Sequence, residues 1–485
     1  VADWLAANRT PEAVVLKPEG DIFYRGRIDD NQDRTRVVHS DLREAIDAAL
    51  AGKPIMHPRT LSFGCAIFRD AARPAAVGGA SRVTFTHDIA PILNQNCVVC
   101  HRAGESAPFA LQTYQQARTW AGALKEYTAR RIMPPWKALP GAGEFHDARV
   151  LSDADIARIA KWADSGAPQG DPKELPAAPR FPDPSAWALG KPDMVVQPPR
   201  PYHLAAEGPD VYRNFVLPVD FDQDRLVSAM EFKPGNRAVV HHVVLYIDTS
   251  GNSAKLDGKE TEPGYTVPGT GIGTLTADWG EVWVPGRTPR LLPPGVAIKI
   301  PKGSKLVMQV HYHKNGAIQE DTTKLAIYFA KGKVQQMMRT FPLVNPRIAL
   351  KPGEAGQRMH IGVTLPVAAH LCTIFPHMHL LGREMRATAT FPDGKKLPLI
   401  DVNDWDFNWQ ETYAYKEPVA LPKGTKVDIE AVYDNSDANP RQSNHPAKLV
   451  TWGEQTTDEM CVCVLGFTVD GEKLDLDADA LRGGI

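Results

Sequence analysis

The sequence predicts a multidomain chain: a partial α/β segment, an α-helical domain, and two antiparallel β-sandwich (jelly-roll-like) domains. Three observations carry that prediction. From residue 205 to 470, short alternating apolar runs are separated by Pro-Gly, Asn-Gly, Asp-Gly and Lys-Gly turns, the pattern of antiparallel sandwiches. Residues 79–172 instead place apolar residues at helical spacing. Between these regions prolines recur every few residues without periodicity, as in an extended linker that wraps over a neighbour. At 485 residues the chain exceeds one ordinary core. The boundaries read as 1–78, 79–172, a Pro-rich linker 173–204, 205–340 and 341–485.

The formal net charge of -2 gives no reason to expect a nucleic-acid partner. No apolar run approaches the ~18 residues of a membrane span. The chain begins at Val1 without a secretory leader pattern, which reads as a processed or truncated start.

Residues 13–16 and 21–24 alternate as two strands around Pro18-Glu19-Gly20, and 41–51 is an amphipathic helix. The run 20–30, with Gly52-Lys53-Pro54, resembles the C-terminal half of thioredoxin-like domains. The Cys-x-x-Cys half of that family is absent here, so the segment is expected to be a docking remnant without thiol activity. Cys65 reads as a small hydrophobe, and the charged stretch 29–36 as a solvated loop.

In the helical region, 88–96 leads into Cys97-Val98-Val99-Cys100-His101, 113–131 reads as one long helix, and 152–165 as another. Ser152 supplies the N-cap of the last and Gly166 its stop. Two thiols two residues apart can add to haem vinyl groups while the following His101 reaches the iron, so the motif predicts one covalently bound haem c. Met133 is the expected sixth ligand, with His87, His146 or an open site as alternatives. The region resembles a class I-like cytochrome c domain. Haem of this kind is attached outside the cytoplasm, which predicts a periplasmic or secreted protein.

The sandwich region carries three histidine clusters. His377 and His379 are two apart, so on a strand both imidazoles face one side and can chelate one ion. Met460 on a later segment adds a thioether, and two imidazoles with one thioether suit copper. Glu459 should face away from Met460 on a regular strand. His241-His242 needs a bulge, or different ring nitrogens, for joint binding, because neighbours on a strand point to opposite faces. His311 would supply a third imidazole, with His313 on the same face as a competitor. Trp405, Trp409 and Trp452 read as sandwich core, and His39, His57, His203 and His445 as surface or satisfied residues.

In order, His241-His242, Gln309-Val310-His311, His377-Met378-His379-Leu380-Leu381-Gly382 and Asp458-Glu459-Met460-Cys461 resemble the copper type II ascorbate-dependent monooxygenases over about residues 205–470. The resemblance implies two copper-binding sandwiches facing a solvent cleft. It implies an electron-transfer copper at His241, His242 and His311, and an oxygen-binding copper at His377, His379 and Met460. Gln309 corresponds to a glutamine near that family's proposed electron path. The implied reaction hydroxylates an activated C–H bond of a small-molecule substrate with O2 and two electrons.

Two departures bear on substrate and stability. Where the peptide-amidating members have an arginine two positions before the His-x-His pair, this chain has Phe375. Their asparagine and tyrosine on the methionine strand correspond to Val462 and Val464. Losing a buried charge partner costs an anionic ligand about 3–5 kcal/mol, so an apolar substrate is expected. The family is also rich in disulfides, whereas only Cys372, Cys461 and Cys463 fall in this region. A bridge from Cys372 to Cys461 or Cys463 is the expectation, with free buried thiols as the alternative. The attached haem could replace or supplement an external donor, ascorbate-like or a redox protein. The alternative function is a non-catalytic electron-transfer or copper-binding protein.

Overall fold

The computed structural model describes residues 9–482, apart from 11, 18–20, 31–36, 38, 56, 61–64, 67–82, 103–104, 106, 108, 180, 182–185, 209, 268–270, 275–277 and 454. The Pro18-Glu19-Gly20 turn, most of the loop 29–36 and the side chain of Cys65 lie outside the described residues. The expected mostly-β architecture is what forms.

Near the N-terminus, β1 (Ala13–Leu16) and β2 (Ile22–Gly26) pair antiparallel, and α1 (Asp41–Leu50) packs against them. Tyr24 is fully buried there, and its hydroxyl meets Thr60 at 2.6 Å.

In the helical region a wide turn over Phe85–Ile89 runs into α2 (Ala90–Asn96). The expected single helix over 113–131 is two, α3 (Tyr114–Thr119) and α4 (Ala121–Ala129). It breaks at Trp120, whose ring stacks on Phe109 at 4.0 Å. Helix α5 (Asp153–Asp164) is capped as its sequence implies, with Ser152 accepting from the Asp155 amide.

The first sandwich has two sheets. One orders β8 (Asp278–Trp283), β7 (Val240–Asp248), β10 (Lys305–Tyr312) and β5 (Val211–Val216). The other orders β13 (Gln336–Met337), β9 (Val296–Ile300), β6 (Arg225–Lys233), β12 (Lys324–Phe329) and β3 (Met194–Val196). The valine-rich β7 and fully central β10 fill the space between them with Val243, Leu245, Leu306, Met308 and Val310. Part of the expected linker 173–204 belongs here too. β3 pairs with β12, and β4 (Tyr202–Leu204) pairs with β11 (Gln319–Asp321). Upstream, the amides of Ala188 and Leu189 donate to buried Glu231, so the linker is laid on this sandwich.

The second sandwich orders β14 (Arg339–Val344), β21 (Val462–Val469), β16 (Ala369–His377) and β19 (Tyr413–Leu421) in one sheet. Its partner sheet orders β15 (Gln357–Thr364), β20 (Lys426–Tyr433), β17 (Gly382–Thr390) and β18 (Lys396–Val402). The C-terminal tail leaves this sandwich. Leu476–Asp477 pairs with Lys333–Val334, and Leu474, Leu476 and Leu481 pack on Leu226, Ala297 and Ala330 of the first sandwich.

Residues 136–149 of the helical region cross onto the second sandwich. Ala138 and Phe145 enter its core. The amides of Leu139 and His146 donate to Asp401 and Ala414 carbonyls at 2.8 Å, and the Lys416 amide donates to the Glu144 carbonyl at 2.8 Å. Trp136 and Phe145 pack on Tyr413 at 5.1 and 5.2 Å. The three regions therefore form one body.

The expected disulfide does not form: Cys372, Cys461 and Cys463 are free. The register of β16 shifts between Leu371 and Thr373, leaving Cys372 as the extra residue of a bulge. Its thiol sits beside Thr468, while Cys461 and Cys463 lie fully buried in the core.

Candidate metal centres

The first centre rests on a register shift. His311 of β10 pairs with His242, but the next residue, Tyr312, pairs with Val240. His241 is thus the extra residue of a β-bulge, which lets two adjacent side chains serve one site. Of the two routes left open by the sequence, the bulge is the one taken.

Three imidazoles converge there. His241 Nδ1 lies 3.1 Å from His242 Nδ1, and His311 Nδ1 lies 3.4 Å from the same atom. The ligand atoms of all three lie within 4.8 Å of one another. Nitrogens each about 2.0–2.1 Å from a shared ion span this order of separation. His311 Nε2 donates to Asp210 Oδ2 at 2.9 Å, which fixes the tautomer and leaves Nδ1 its lone pair. Tyr212 stacks on the His311 ring at 4.2 Å and holds its plane. His313 does not compete: its Nδ1 turns to the other oxygen of Asp210, at 2.8 Å. Burial, reinforced by the neighbouring histidines, holds the His242 and His311 imidazoles neutral well below the usual range.

Gln309 lies under this centre. Its amide donates to Asn214 and to the Gly271 carbonyl, tying β10 to β5 and the loop above it. The Gly264 end of that loop packs so closely that an added Cβ would stand 2.3 Å from the Asn214 carbonyl oxygen. Gln309 is a buried structural tie in this conformation.

The second centre is built differently. The rings of His377 and His379 stand 5.3 Å apart, nearly perpendicular. His377 Nδ1 donates to Gln410 Oε1 at 2.5 Å, and the Gln410 amide donates to the Phe407 carbonyl, so the side-chain amide orientation is set. His379 Nδ1 donates to the Asp458 carbonyl at 3.1 Å. Both rings therefore keep the lone pair on Nε2. Burial first, then for His377 the neighbouring His379, lowers them to about 3 and about 4.

Met460 enters beside them: β16 and β21 pair His377 with Val462, and Met460 lies two residues before it. Its amide donates to Glu459, and its carbonyl accepts from Tyr433 at 2.8 Å.

Glu459 matters more than its sequence position suggested. It is fully buried, and its carboxylate accepts the amides of His379, Leu381 and Met460 at 2.7–2.9 Å. Burial raises its pKa to about 8, against those hydrogen bonds. The carboxylate thus pins the His-Met-His segment to the methionine segment. Trp405, in the core as expected, adds an indole N–H to the His379 carbonyl at 3.0 Å. Gln410 and Asp210 had no sequence motif of their own, and Glu459 was expected to face away; only proximity in the fold reveals their roles.

Both donor sets suit copper: clustered imidazoles, with the tautomer preset at His311, His377 and His379, and a thioether-bearing residue just before β21 beside the second. His241, His242, His377 and Met460 are each only partly buried, and Phe407 stands between the two centres. Its ring stacks on His241 at 6.0 Å and meets His379 edge-on at 5.6 Å.

On the far side of His377, Phe375 stacks on the imidazole at 5.8 Å. Phe375, Val462 and Val464 form an apolar cluster with Trp452 and Met460. Phe375 and Val464 also line a cavity of about 790 Å³ where the three regions meet.

In the helical region, His101 Nδ1 donates to the Phe109 carbonyl at 3.1 Å, which leaves Nε2 as the lone-pair nitrogen. Cys97 and Cys100 stand one turn apart, the Cys100 amide donating to the Cys97 carbonyl, and burial pushes the Cys97 thiol up to about 12. These residues fit covalent haem attachment. Cys100 faces the first sandwich: a Cβ on Gly286 would lie 3.5 Å from its sulfur. Arg237, four residues before His241, pairs with Glu105. Met133 is half-buried just after α4, with its amide on the Tyr127 carbonyl. No helix among the described residues is long and apolar enough to cross a membrane.

Residues 357–476 match the family model described as copper type II ascorbate-dependent monooxygenase, C-terminal domain. DBH-like monooxygenase protein 1 of Mus musculus is 26% identical over 255 residues, covering 48% of this chain and 39% of that protein. The chain thus spans well under half of that relative's length. Among solved structures, PNGF-II matches at 9% identity and a TM-score of 0.22, over 62% of this chain and 65% of that one. The major capsid protein P2 of bacteriophage PM2 matches at 9% identity and a TM-score of 0.21, over 55% of this chain and all (100%) of that one. Scores this low carry no argument.

Proposed function

We propose that this chain is a copper-dependent monooxygenase that hydroxylates a C–H bond of a small apolar substrate with O2, and that it draws electrons through a covalent haem c in its helical domain. The observation that carries the reading is the paired design of the two centres. His311 in the first, and His377 and His379 in the second, each commit one ring nitrogen to the protein and keep the other's lone pair for a metal.

His241, His242 and His311 would hold an electron-transfer copper, and His377, His379 and Met460 a second copper. Copper there would supply one-electron redox chemistry and O2 activation. The balance is substrate, O2, two electrons and two protons giving alcohol and water. The protein's own part is geometric: Gln410 and the Asp458 carbonyl aim the two imidazoles, Glu459 fixes their segment, and Phe375, Val462 and Val464 line the approach with apolar surface. A carboxylate-bearing substrate finds no cationic partner among those three.

Cys97, Cys100 and His101 would hold the haem, with Met133 as sixth ligand. That attachment chemistry supports a periplasmic or otherwise exported location, and an ascorbate-like reductant or redox protein as the external donor. The hairpin and helix before residue 79 suit a docking role, in keeping with their resemblance to part of a thioredoxin-like fold.

The test is copper per haem after copper reconstitution, followed by O2-coupled hydroxylation of an apolar substrate panel. Two coppers per haem with product stoichiometric to O2 is the expected result. The second reading, a copper-binding or electron-transfer protein without turnover, is favoured by the Phe407 ring that stands against a histidine of each centre. Oxygen consumption without coupled product would select it.

A further inference from the structure

The loop between β18 and β19, residues 404–411, touches every part of the site. Phe407 meets one histidine of each centre, and Gln410 holds His377. Both ends of the loop are gripped by the helical region. Lys137 Nζ bonds Asp404 at 2.7 Å, and Arg149 reaches both oxygens of Glu411 at 3.4 Å. Immediately past the loop, Tyr413 is enclosed by Trp136 and Phe145. Inside the loop, Gln410 ties back to the Phe407 carbonyl, so the spacer ring and the His377 tether move as one unit.

We propose that this loop is the positioning element of both centres: Phe407 is the spacer that fixes their separation, Gln410 is the positioning residue for His377, and the helical region is the latch that holds the loop in place. The proposal rests on reading the two histidine sets as copper centres.

The physical argument runs through the ring contacts. The two sandwiches carry one centre each, and a buried aromatic ring between His241 and His379 sets their closest approach. Phe407 is 6% exposed, so the ring is enclosed by its neighbours and resists compression. The apolar C-terminal tail holds the two sandwiches together at one end, and domains held at one end still sample several separations at the other. A packed ring held by a loop that is anchored at both ends narrows them to one. Gln410 acts on the second centre alone: without its acceptor, the His377 ring loses both its fixed tautomer and its orientation.

The experiment uses the full chain loaded with copper and oxidised, with the Cu–Cu distance read by pulsed dipolar EPR and copper counted separately. The wild-type protein should give two coppers and one narrow distance. Phe407→Ala should keep both coppers and broaden or shift the distance, and Phe407→Leu should do so less. Gln410→Ala should weaken copper at the second centre by about 10–100-fold while leaving the first unchanged, and Gln410→Glu, which keeps an acceptor, should restore most of it. The paired change Lys137→Met and Arg149→Met should broaden the distance as Phe407→Ala does. Two coppers with an unaltered narrow distance in Phe407→Ala, or unaltered second-centre affinity in Gln410→Ala, overturns the proposal. Fewer than two coppers in the wild type overturns the copper reading itself, and the proposal with it.

Discussion

The two centres bring their histidines together by opposite local structure. The first breaks the strand register: a bulge at His241 turns adjacent residues to one side, and a carboxylate, Asp210, orients His311. The second takes His377 from the last position of β16 and His379 from the segment just beyond it, and orients both rings with oxygens of amide groups, the Gln410 side chain and the Asp458 carbonyl. The first presents Nδ1 and the second Nε2. A charged orienting partner strengthens the donor character of its imidazole, whereas a neutral one leaves it weaker. The pair therefore reads as a tighter copper site beside a more exchangeable one.

The largest expected effect of breaking that asymmetry is at Met460. Met460→Ala should abolish hydroxylation while leaving any haem spectrum and first-centre copper intact. Retained turnover would sink the assignment. Next, His242→Ala should lower copper from two per chain to one, and the remaining ion should show an EPR signal without dipolar broadening.

A third change probes the support of the second centre. Phe145→Ala removes a helical-region side chain from the core of the second sandwich and should cost about 3–5 kcal/mol in denaturant unfolding. A cost under 1 kcal/mol would show that the crossing segment does not contribute to that core. Asp210→Asn comes fourth: it should weaken first-centre copper by about 10–100-fold and leave the second unchanged, as a chelator competition would show.

The smallest effect concerns pH. Burial raises the Glu411 carboxyl above its ordinary value of 4.5, although Arg149 and Arg287 oppose the shift. The folded chain then holds that proton longer than the unfolded one, so stability falls as pH rises through the window above 4.5. Glu411→Gln should flatten that fall. An unchanged slope in thermal unfolding against pH would count against a buried, proton-holding Glu411.

The sequence exposed the ligands because their types and spacings are local: two histidines at strand period, two adjacent, and a methionine on a later strand. It also exposed the sandwiches, because turn residues punctuate alternating runs such as β10 and β20. The supports were not legible. Asp210 lies about a hundred residues from His311, and Glu459 reads on a strand as an outward-facing neighbour of Met460. Its inward turn follows from the irregular backbone before β21, which no local pattern announces. The long helix over 113–131 failed for a related reason: a tertiary stack of Trp120 on Phe109 outweighed local propensity. The disulfide expectation came from a family habit and met a bulge at Cys372 that points the thiol elsewhere.

The segment 136–149 has one more consequence. A carrier on a flexible tether delivers electrons by repeated collision, at a rate set by linker length, viscosity and salt. Here the helical region, which carries the proposed haem attachment, is built into the core of the second sandwich through Ala138 and Phe145. Under the proposed function, electron delivery between them would be a fixed-distance, first-order event. Its rate should be indifferent to ionic strength and to added glycerol, and a separately expressed helical region should not substitute for the fused one.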